Sequence, residues 1–221
     1  MGAPGGMSSV ATDIRPRVIV GLGNPGGEYA GTRHNAGFLV IDRILTKLRK
    51  PAETARRWDC DLARVTAGGR ALLFAKPLTF MNLSGDAVAR IRAAEAVEPA
   101  EILVVCDCLD LPLGRLRMRT GGGSGGHRGV ESIIQTLGAD TFPRLRVGIG
   151  RSEDTAVVKF VLGGWSEDER PIIDEAVNAA ADAVILALKA GVDTAMNRFN
   201  GWRAKSAETS SNPKPAGEPE T

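Results

Sequence analysis

The fold class follows from two short apolar runs, Arg17-Val-Ile-Val-Gly-Leu22 and Glu101-Ile-Leu-Val-Val-Cys-Asp107. Runs of this length and apolar content predict buried β-strands. A third strand is predicted at Leu145–Ile149, which ends next to glycine. A fourth is predicted at Arg115–Arg119, where arginine alternates with apolar residues as in a strand with one wet face.

Helical segments and one hairpin separate these strands. A hairpin is predicted around Ala67-Gly-Gly69, and Asn35 is a candidate N-cap for the first helix. Strands that alternate with helices, together with a hairpin, predict a single-domain, three-layer α/β sandwich with a twisted mixed β-sheet flanked by helices. The predicted helices cover Ala36–Leu48, Ser84–Ala96, Val130–Leu137, Glu167–Lys189 and a shorter segment from Asp193.

The composition is that of one globular domain. The 221 residues are 43% hydrophobic and 24% charged, which excludes a mainly disordered chain, a collagen or a coiled coil. Residues 1–14 are rich in Gly, Ser and Pro and are predicted to be a flexible N-terminal segment, residues 15–203 the domain, and residues 204–221 a disordered C-terminal tail. Neither a membrane span nor a secretory signal is predicted, so we expect a cytoplasmic protein.

One motif points to a different class of protein. Gly21-Leu-Gly-Asn-Pro-Gly26 matches the G-x-G-x-x-G of dinucleotide-binding folds, and Asp42 follows about 20 residues on. Pro25 and a polar, Gly-rich stretch follow instead of an apolar helix, which begins only at Ala36. We therefore discount a nucleotide-binding oxidoreductase, an alternative that a titration with NAD would test.

The ends of the predicted strands carry the polar residues that suit catalysis. In α/β sheets, ligands bind in the crevice beyond the carboxyl ends of the strands. His34 lies in the loop after the first strand, and Asp107 closes the most apolar strand. A carboxylate that orients an imidazole makes it a general base, although a structural His34 and a capping Asp107 are the alternatives. No G-x-S-x-G elbow is present, so the pattern favours direct activation of water.

A glycine-rich loop and a basic segment indicate an anionic ligand. Gly121–Gly126 contains five glycines in six residues, and such a loop before a helix suits an anion or a carbonyl group. Seven arginines against three acidic residues lie between Asp110 and Arg151. This segment is either a nucleic-acid footprint or a solvated basic face. Cys106 and Cys108 lack the second ligand pair of a zinc site, so no metal is predicted.

These motifs together resemble the bacterial-type peptidyl-tRNA hydrolase family. The similarity covers nearly all of residues 17–200, in order and at compatible spacing. It implies an esterase that cleaves the bond between a peptide and the terminal ribose of tRNA, with a monomeric α/β fold and no cofactor. The matching motifs are Gly21–Gly26 with Tyr29 and Thr32–Gly37, Phe80–Gly85, Ile102–Asp107 with Leu109–Pro112, Gly121–Gly129 and Phe142–Gly150.

The resemblance also assigns catalytic roles, residue by residue. His34 matches the catalytic base of the family, and Asp107 matches the acid that orients it. Asn24 and Asn82 match amides that hold substrate and water, although Asn82 taken alone is predicted to be a helix N-cap.

The remaining matches concern the two ends of the substrate. Tyr29 and Met81 match residues of the peptide groove. Arg119 stands where the family has Lys, and Arg146 where it has Arg, a pair that clamps the tRNA 5′ phosphate.

This sequence departs from the family pattern at two places. Arg128 stands where the family usually has a substrate-contacting Asn, and we expect Arg128 to bind substrate as well. Cys106 and Cys108 replace the polar neighbours of Asp107. The alternative function is a catalytically inactive RNA-binding protein of the same fold.

Overall fold

The computed structural model describes residues 14–49, 53–151 and 155–207. Seven strands within this part of the chain form one sheet in the order β2-β3-β4-β1-β5-β7-β6. The strands are β1 Val18–Gly21, β2 Glu53–Arg57, β3 Cys60–Ala67, β4 Arg70–Pro77, β5 Ile102–Cys108, β6 Leu116–Arg119 and β7 Arg144–Gly148. The helices are α1 Ala36–Leu48, α2 Ser84–Glu95, α3 Arg128–Leu137, α4 Val157–Val161, α5 Glu169–Ala190 and α6 Val192–Phe199.

The sheet has a parallel centre and antiparallel edges. Strand β1 pairs in parallel with β4 and with β5, and β5 pairs in parallel with β7. Strand β3 is antiparallel to β2 and β4, and β6 is antiparallel to β7. The predicted mixed sheet is confirmed, and the chain segments after β1, β4 and β5 all leave from the same edge of the sheet.

Helices cover both faces of the sheet, which gives the predicted three layers. On one face, Ile19, Phe74 and Leu103 pack in a buried cluster with residues of α1, α5 and α6. On the other face, Val20 and Val104 pack with residues of α2 and α3. Among the helices of the described residues, none has the length and hydrophobicity that a membrane span requires.

The first turn of α1 lies directly against two strands. A Cβ added at Gly37 would come within 2.5 Å of the carbonyl oxygens of Leu22 and Val105. Only glycine allows this approach, because the two backbones would otherwise overlap. The close contact sets the position of the residues just before α1, among them His34.

Some elements and boundaries differ from the sequence predictions. Strand β2 and helix α4 were not predicted, since both are short and lack a clear apolar period. Ile14 packs against the core, and Ala204 is fully buried and donates its N–H to the carbonyl oxygen of Gly114. The rest of the predicted flexible segment and tail lies outside the described residues.

The geometry does not support a dinucleotide site at Gly21–Gly26. The chain forms short 3-10 turns after Gly26, and the first α-helix begins only at Ala36. Asp42 lies within that helix, where its carboxylate pairs with the ammonium of Lys76 at 2.7 Å.

Candidate active site

A cavity of about 300 Å³ opens at the carboxyl edge of the parallel strands. It gathers residues from the segments after β1, β4 and β5 and from the glycine-rich loop. Arg119, on the edge strand β6, is not among its lining residues. Eight predicted site residues line the cavity: Asn24, Tyr29, His34, Met81, Asn82, Asp107, Arg128 and Arg146.

The structure brings together the predicted histidine and aspartate. His34 lies in a 3-10 turn, Arg33–Asn35, immediately before α1, and Asp107 lies near the end of β5. The His34 Nδ1 to Asp107 Oδ1 distance is 2.8 Å. Asp107 is only 3% exposed, whereas the His34 ring lines the cavity.

A second histidine, which sequence reasoning did not assign to the site, contacts the same carboxylate oxygen. His127 Nε2 lies 3.0 Å from Asp107 Oδ1. Its Nδ1 accepts hydrogen bonds from the backbone N–H groups of Gly129 and Val130, at 3.1 and 3.3 Å, and so caps α3. Because Nδ1 accepts, the proton must be on Nε2, which donates to Asp107. The one available signal was the position of His127 directly before a helix.

The two imidazoles keep Asp107 ionised. Burial alone would raise the pKa of Asp107, but the electrostatic attraction and hydrogen bonds of the imidazole N–H groups, of His127 first and then of His34, outweigh it and hold that pKa well below its usual range. An ionised Asp107 accepts the Nδ1–H of His34, which leaves the His34 Nε2 lone pair as the one available to the cavity. This is the protonation state that a general base needs.

An arginine stack holds the turn that carries His34. Arg33 makes two parallel hydrogen bonds to the carboxylate of Glu169, at 2.8 and 3.1 Å. Its guanidinium lies between the rings of Phe160 and Trp165, at 4.4 and 4.6 Å. Burial raises the pKa of Glu169, but Arg33 and Ser166 outweigh it and lower that pKa overall.

Asn35 corrects one prediction and explains how Asn24 is placed. Asn35 occupies the N-cap position of α1, but its side chain makes no capping hydrogen bond. Its amide instead bonds both the N–H and the carbonyl of Asn24, at 2.9 and 3.0 Å. Asn24 Oδ1 in turn accepts from the N–H of Met81 at 2.9 Å. This oxygen contact directs the Asn24 Nδ2 group, which has no partner among the described residues, to the cavity that Asn24 lines.

The segment after β4 contributes Met81 and Asn82. Met81 is buried against Gly129 of α3, where a side chain on Gly129 would collide with the Met81 sulfur. Asn82 is exposed and lines the cavity, and it does not cap α2, whose N-cap position is occupied by Leu83. Of the two readings of Asn82, the geometry therefore favours the one in which its amide faces a ligand.

Two arginines of β7 hold the glycine-rich loop. The end of β6 pairs with Arg144 of β7, whereas the end of β5 pairs with Gly148. The glycine-rich loop, which follows β6, therefore runs along β7 before it reaches the edge of the sheet where the cavity opens. Fully buried Arg144 donates to the carbonyls of Gly122 and Gly123 at 2.5 and 3.0 Å, and Arg146 donates to Gly123 at 3.0 Å. These contacts place His127, at the end of the loop, beside Asp107.

The predicted phosphate clamp lies partly in the cavity. Arg119 pairs in register with Arg144, and Arg117 with Arg146, on the face of the sheet opposite to Leu116 and Met118. Arg119 and Arg146 are therefore diagonal neighbours on adjacent strands, a separation that long side chains span.

Exposed apolar side chains form part of the cavity lining. Helix α4 exposes Val157 and Val158, each 52% exposed, towards it, and Leu162 continues this wall. Phe80, 58% exposed, lines the same cavity from the segment after β4. Exposed apolar groups in a cleft indicate a ligand with an apolar part.

His34, Asp107 and His127 are also the group that could hold a metal ion among the described residues, with one ligand atom from each within 4.8 Å of the others. Both imidazole N–H groups already donate to Asp107, so these three side chains satisfy one another without an ion.

An imidazole oriented by a buried carboxylate, in a cavity lined by both apolar and basic residues, is typical of a hydrolytic enzyme. Comparisons with known proteins give the family. A family model described as peptidyl-tRNA hydrolase matches residues 18–209. The chain therefore belongs to the peptidyl-tRNA hydrolase family.

Relatives and solved structures agree over most of the chain. The peptidyl-tRNA hydrolase of Desulforudis audaxviator is 46% identical over 191 residues, which cover 86% of this chain and 96% of that protein. The peptidyl-tRNA hydrolase of Aquifex aeolicus is 44% identical over 187 residues, which cover 83% and 96%. The crystal structure of the Acinetobacter baumannii peptidyl-tRNA hydrolase superposes with a TM-score of 0.80 at 35% identity and covers 86% of this chain and 97% of that one.

Proposed function

We propose that this protein hydrolyses the ester that joins the peptide to the terminal ribose of peptidyl-tRNA, with a water molecule activated by His34. Family membership supports the reaction. The observation that carries the residue assignment is the contact of His34 Nδ1 with Asp107, which leaves His34 Nε2 to the cavity.

In the proposed mechanism, His34 Nε2 takes a proton from water and the resulting hydroxide attacks the ester carbonyl carbon. The bond from that carbon to the ribose oxygen then breaks, and the imidazolium returns its proton to the ribose oxygen. The products are free tRNA and a peptide carboxylic acid, which loses its proton to the solvent. Asp107 stabilises the imidazolium, and no metal or cofactor takes part in these steps.

The amides beside the base suit the charge that develops on the carbonyl oxygen. Asn24 presents its Nδ2 group, since its oxygen is held by Met81, and Asn82 lies on the same cavity. One such donor is worth about 2.7–4 kcal/mol in a transition state. Tyr29, Met81 and the apolar wall of α4 are proposed to take the peptide.

Release of free tRNA from purified peptidyl-tRNA tests this function. His34→Ala should lower kcat by about 10²- to 10⁴-fold, the usual contribution of a general base. Arg56→Gln, an exposed site on the far edge strand β2, is the matched control and should keep full turnover. Near-wild-type turnover in His34→Ala would exclude His34 as the base, and a wild-type protein without turnover would favour the inactive RNA-binding alternative.

Arg119 and Arg146 are proposed to bind the tRNA 5′ phosphate. Their support is the shared sheet face and diagonal position. The slope of log Kd against log salt concentration should decrease by the equivalent of about one phosphate contact in Arg119→Ala and in Arg146→Ala. The slope should not change in Arg56→Gln. Equal salt slopes in all four proteins would remove the clamp.

The proposal includes a monomeric protein in the cytoplasm, on the basis of the family resemblance and of a composition typical of a single globular domain. Sedimentation equilibrium of the full chain tests the monomer.

A further inference from the structure

The catalytic cavity continues into a second, polar hollow along α3. The cavity and this second hollow share four residues but differ in the rest of their lining. The apolar wall of α4 lines only the cavity. The second continues over Glu131, Ser132 and Gln135 of α3. The four shared residues are Asn82, Ser124, Gly126 and Arg128.

Arg128, the first residue of α3, is the cation at this junction, and its donors are free. Its side chain is exposed, and within the described ranges it takes part in no hydrogen bond or ion pair. Glu131, one turn further along α3, accepts from the amide of Gln135 at 3.1 Å. The other cation of the cavity, Arg146, already donates to the Gly123 carbonyl. Five unused guanidinium donors at a junction favour an anion with several acceptor oxygens.

The direction of the substrate follows from the different linings of the two hollows, since α4 lines only the first and the middle of α3 lines only the second. If the ester lies at His34 and the peptide lies against α4, the terminal nucleoside must extend towards the glycine-rich loop and α3. The first anionic group on that path is the phosphodiester that joins the terminal nucleoside to the one before it. We propose that Arg128 binds this last phosphodiester of the tRNA 3′ end, an inference that rests on the proposed ester hydrolysis.

A double-mutant cycle between enzyme and substrate tests the contact. Two peptidyl-tRNAs are compared, one natural and one in which the last phosphodiester is an uncharged methylphosphonate, so that only one charge differs. Each is hydrolysed by wild type, Arg128→Gln, Arg128→Lys and the control Arg56→Gln. In wild type and in Arg56→Gln, loss of the charge should lower kcat/KM by about fivefold, the effect of one exposed ion pair.

In Arg128→Gln, the same methylphosphonate substitution should produce little further loss, because the partner of the charge is gone. Arg128→Lys should keep part of the discrimination, since lysine retains the charge but not the planar fork. A fivefold loss that persists in Arg128→Gln would overturn the proposal, as would a wild type indifferent to the substitution. A wild type that leaves the natural peptidyl-tRNA intact would instead refute the proposed function.

Discussion

Substitution of His127 separates two roles of one imidazole. Nδ1 of His127 caps α3, and Nε2 donates to the buried carboxylate of Asp107. In His127→Ala both contacts are lost. In His127→Asn the amide oxygen still caps the helix, because asparagine is a good N-cap residue, but the shorter side chain no longer reaches Asp107.

The structure sets the expected sizes of these losses. A helix cap contributes about 1 kcal/mol, and a hydrogen bond to a charged group contributes about 1.5–3 kcal/mol. We therefore expect His127→Asn to lower the free energy of unfolding by about 2 kcal/mol and His127→Ala by about 3 kcal/mol at pH 7. Urea unfolding followed by circular dichroism measures both.

The pH dependence identifies Asp107 as the group involved. The two histidines hold the pKa of Asp107 below its usual range against the effect of burial. A carboxyl with a depressed folded pKa contributes stability that is present above its unfolded pKa of about 3.9 and is lost as pH falls through the folded value. Without His127 the folded pKa of Asp107 rises, so this contribution is lost at a higher pH.

The difference in stability between wild type and His127→Asn should therefore be largest near neutral pH and should narrow in acid, as Asp107 of the folded variant becomes protonated before that of the wild type. The hydrolysis rate of peptidyl-tRNA should fall in both variants, because Asp107 loses one of the donors that hold it. A His127→Asn protein as stable as wild type at pH 7, or a gap that stays constant down to pH 3, would refute the shared-carboxylate arrangement.

Two further substitutions test the support of His34. Gly37→Ala should lower the free energy of unfolding by about 2–3 kcal/mol in urea unfolding, because a Cβ there meets strand backbone; Gly31→Ala, where a Cβ meets no atom within 4 Å, is the control and should be near neutral. Glu169→Gln should cost about 1–2 kcal/mol, because it leaves the guanidinium of Arg33 without its counter-charge. Since the folded pKa of Glu169 is depressed, this loss should be full above its unfolded pKa of about 4.3 and should fade as pH drops further, and a loss equal at pH 7 and pH 3 would contradict it.

The central part of the fold was predictable from local pattern, and the parts that depend on pairing were not. Apolar runs identify β1 and β5. The helical spacing of apolar residues identifies α1, which the structure has at the predicted residues Ala36–Leu48. Strand β2, Glu53–Arg57, has no apolar alternation and exists because it pairs with β3. Helix α4 has only five residues, too few for a period.

The candidate site was predictable only where strand ends meet. Asn24 and His34 follow β1, and Asp107 lies near the end of β5, so the general rule for α/β sheets brings them to one edge. The true partner of Asn35 was not predictable from its helix-start position, because it is the backbone of another loop. His127 lies at the end of the loop that follows β6, and Arg146 of β7 holds this loop. The sequence pattern does not reveal that β6 runs antiparallel to β7, so the position of His127 beside Asp107 was not predictable.

The surroundings of Asp107 explain why two histidines are needed. Its sequence neighbour Cys106 is fully buried, and burial together with the charge of Asp107 raises the pKa of the Cys106 thiol far above neutrality. That thiol therefore stays protonated and does not compete with water as a nucleophile. In the proposed mechanism His34 gains and loses a proton at every turnover, so with His34 alone the buried carboxylate would have no partner of constant charge. His127, whose Nδ1 is occupied by the start of α3, gives Asp107 a second donor, and we propose that this donor keeps the carboxylate ionised and in place while His34 changes its charge.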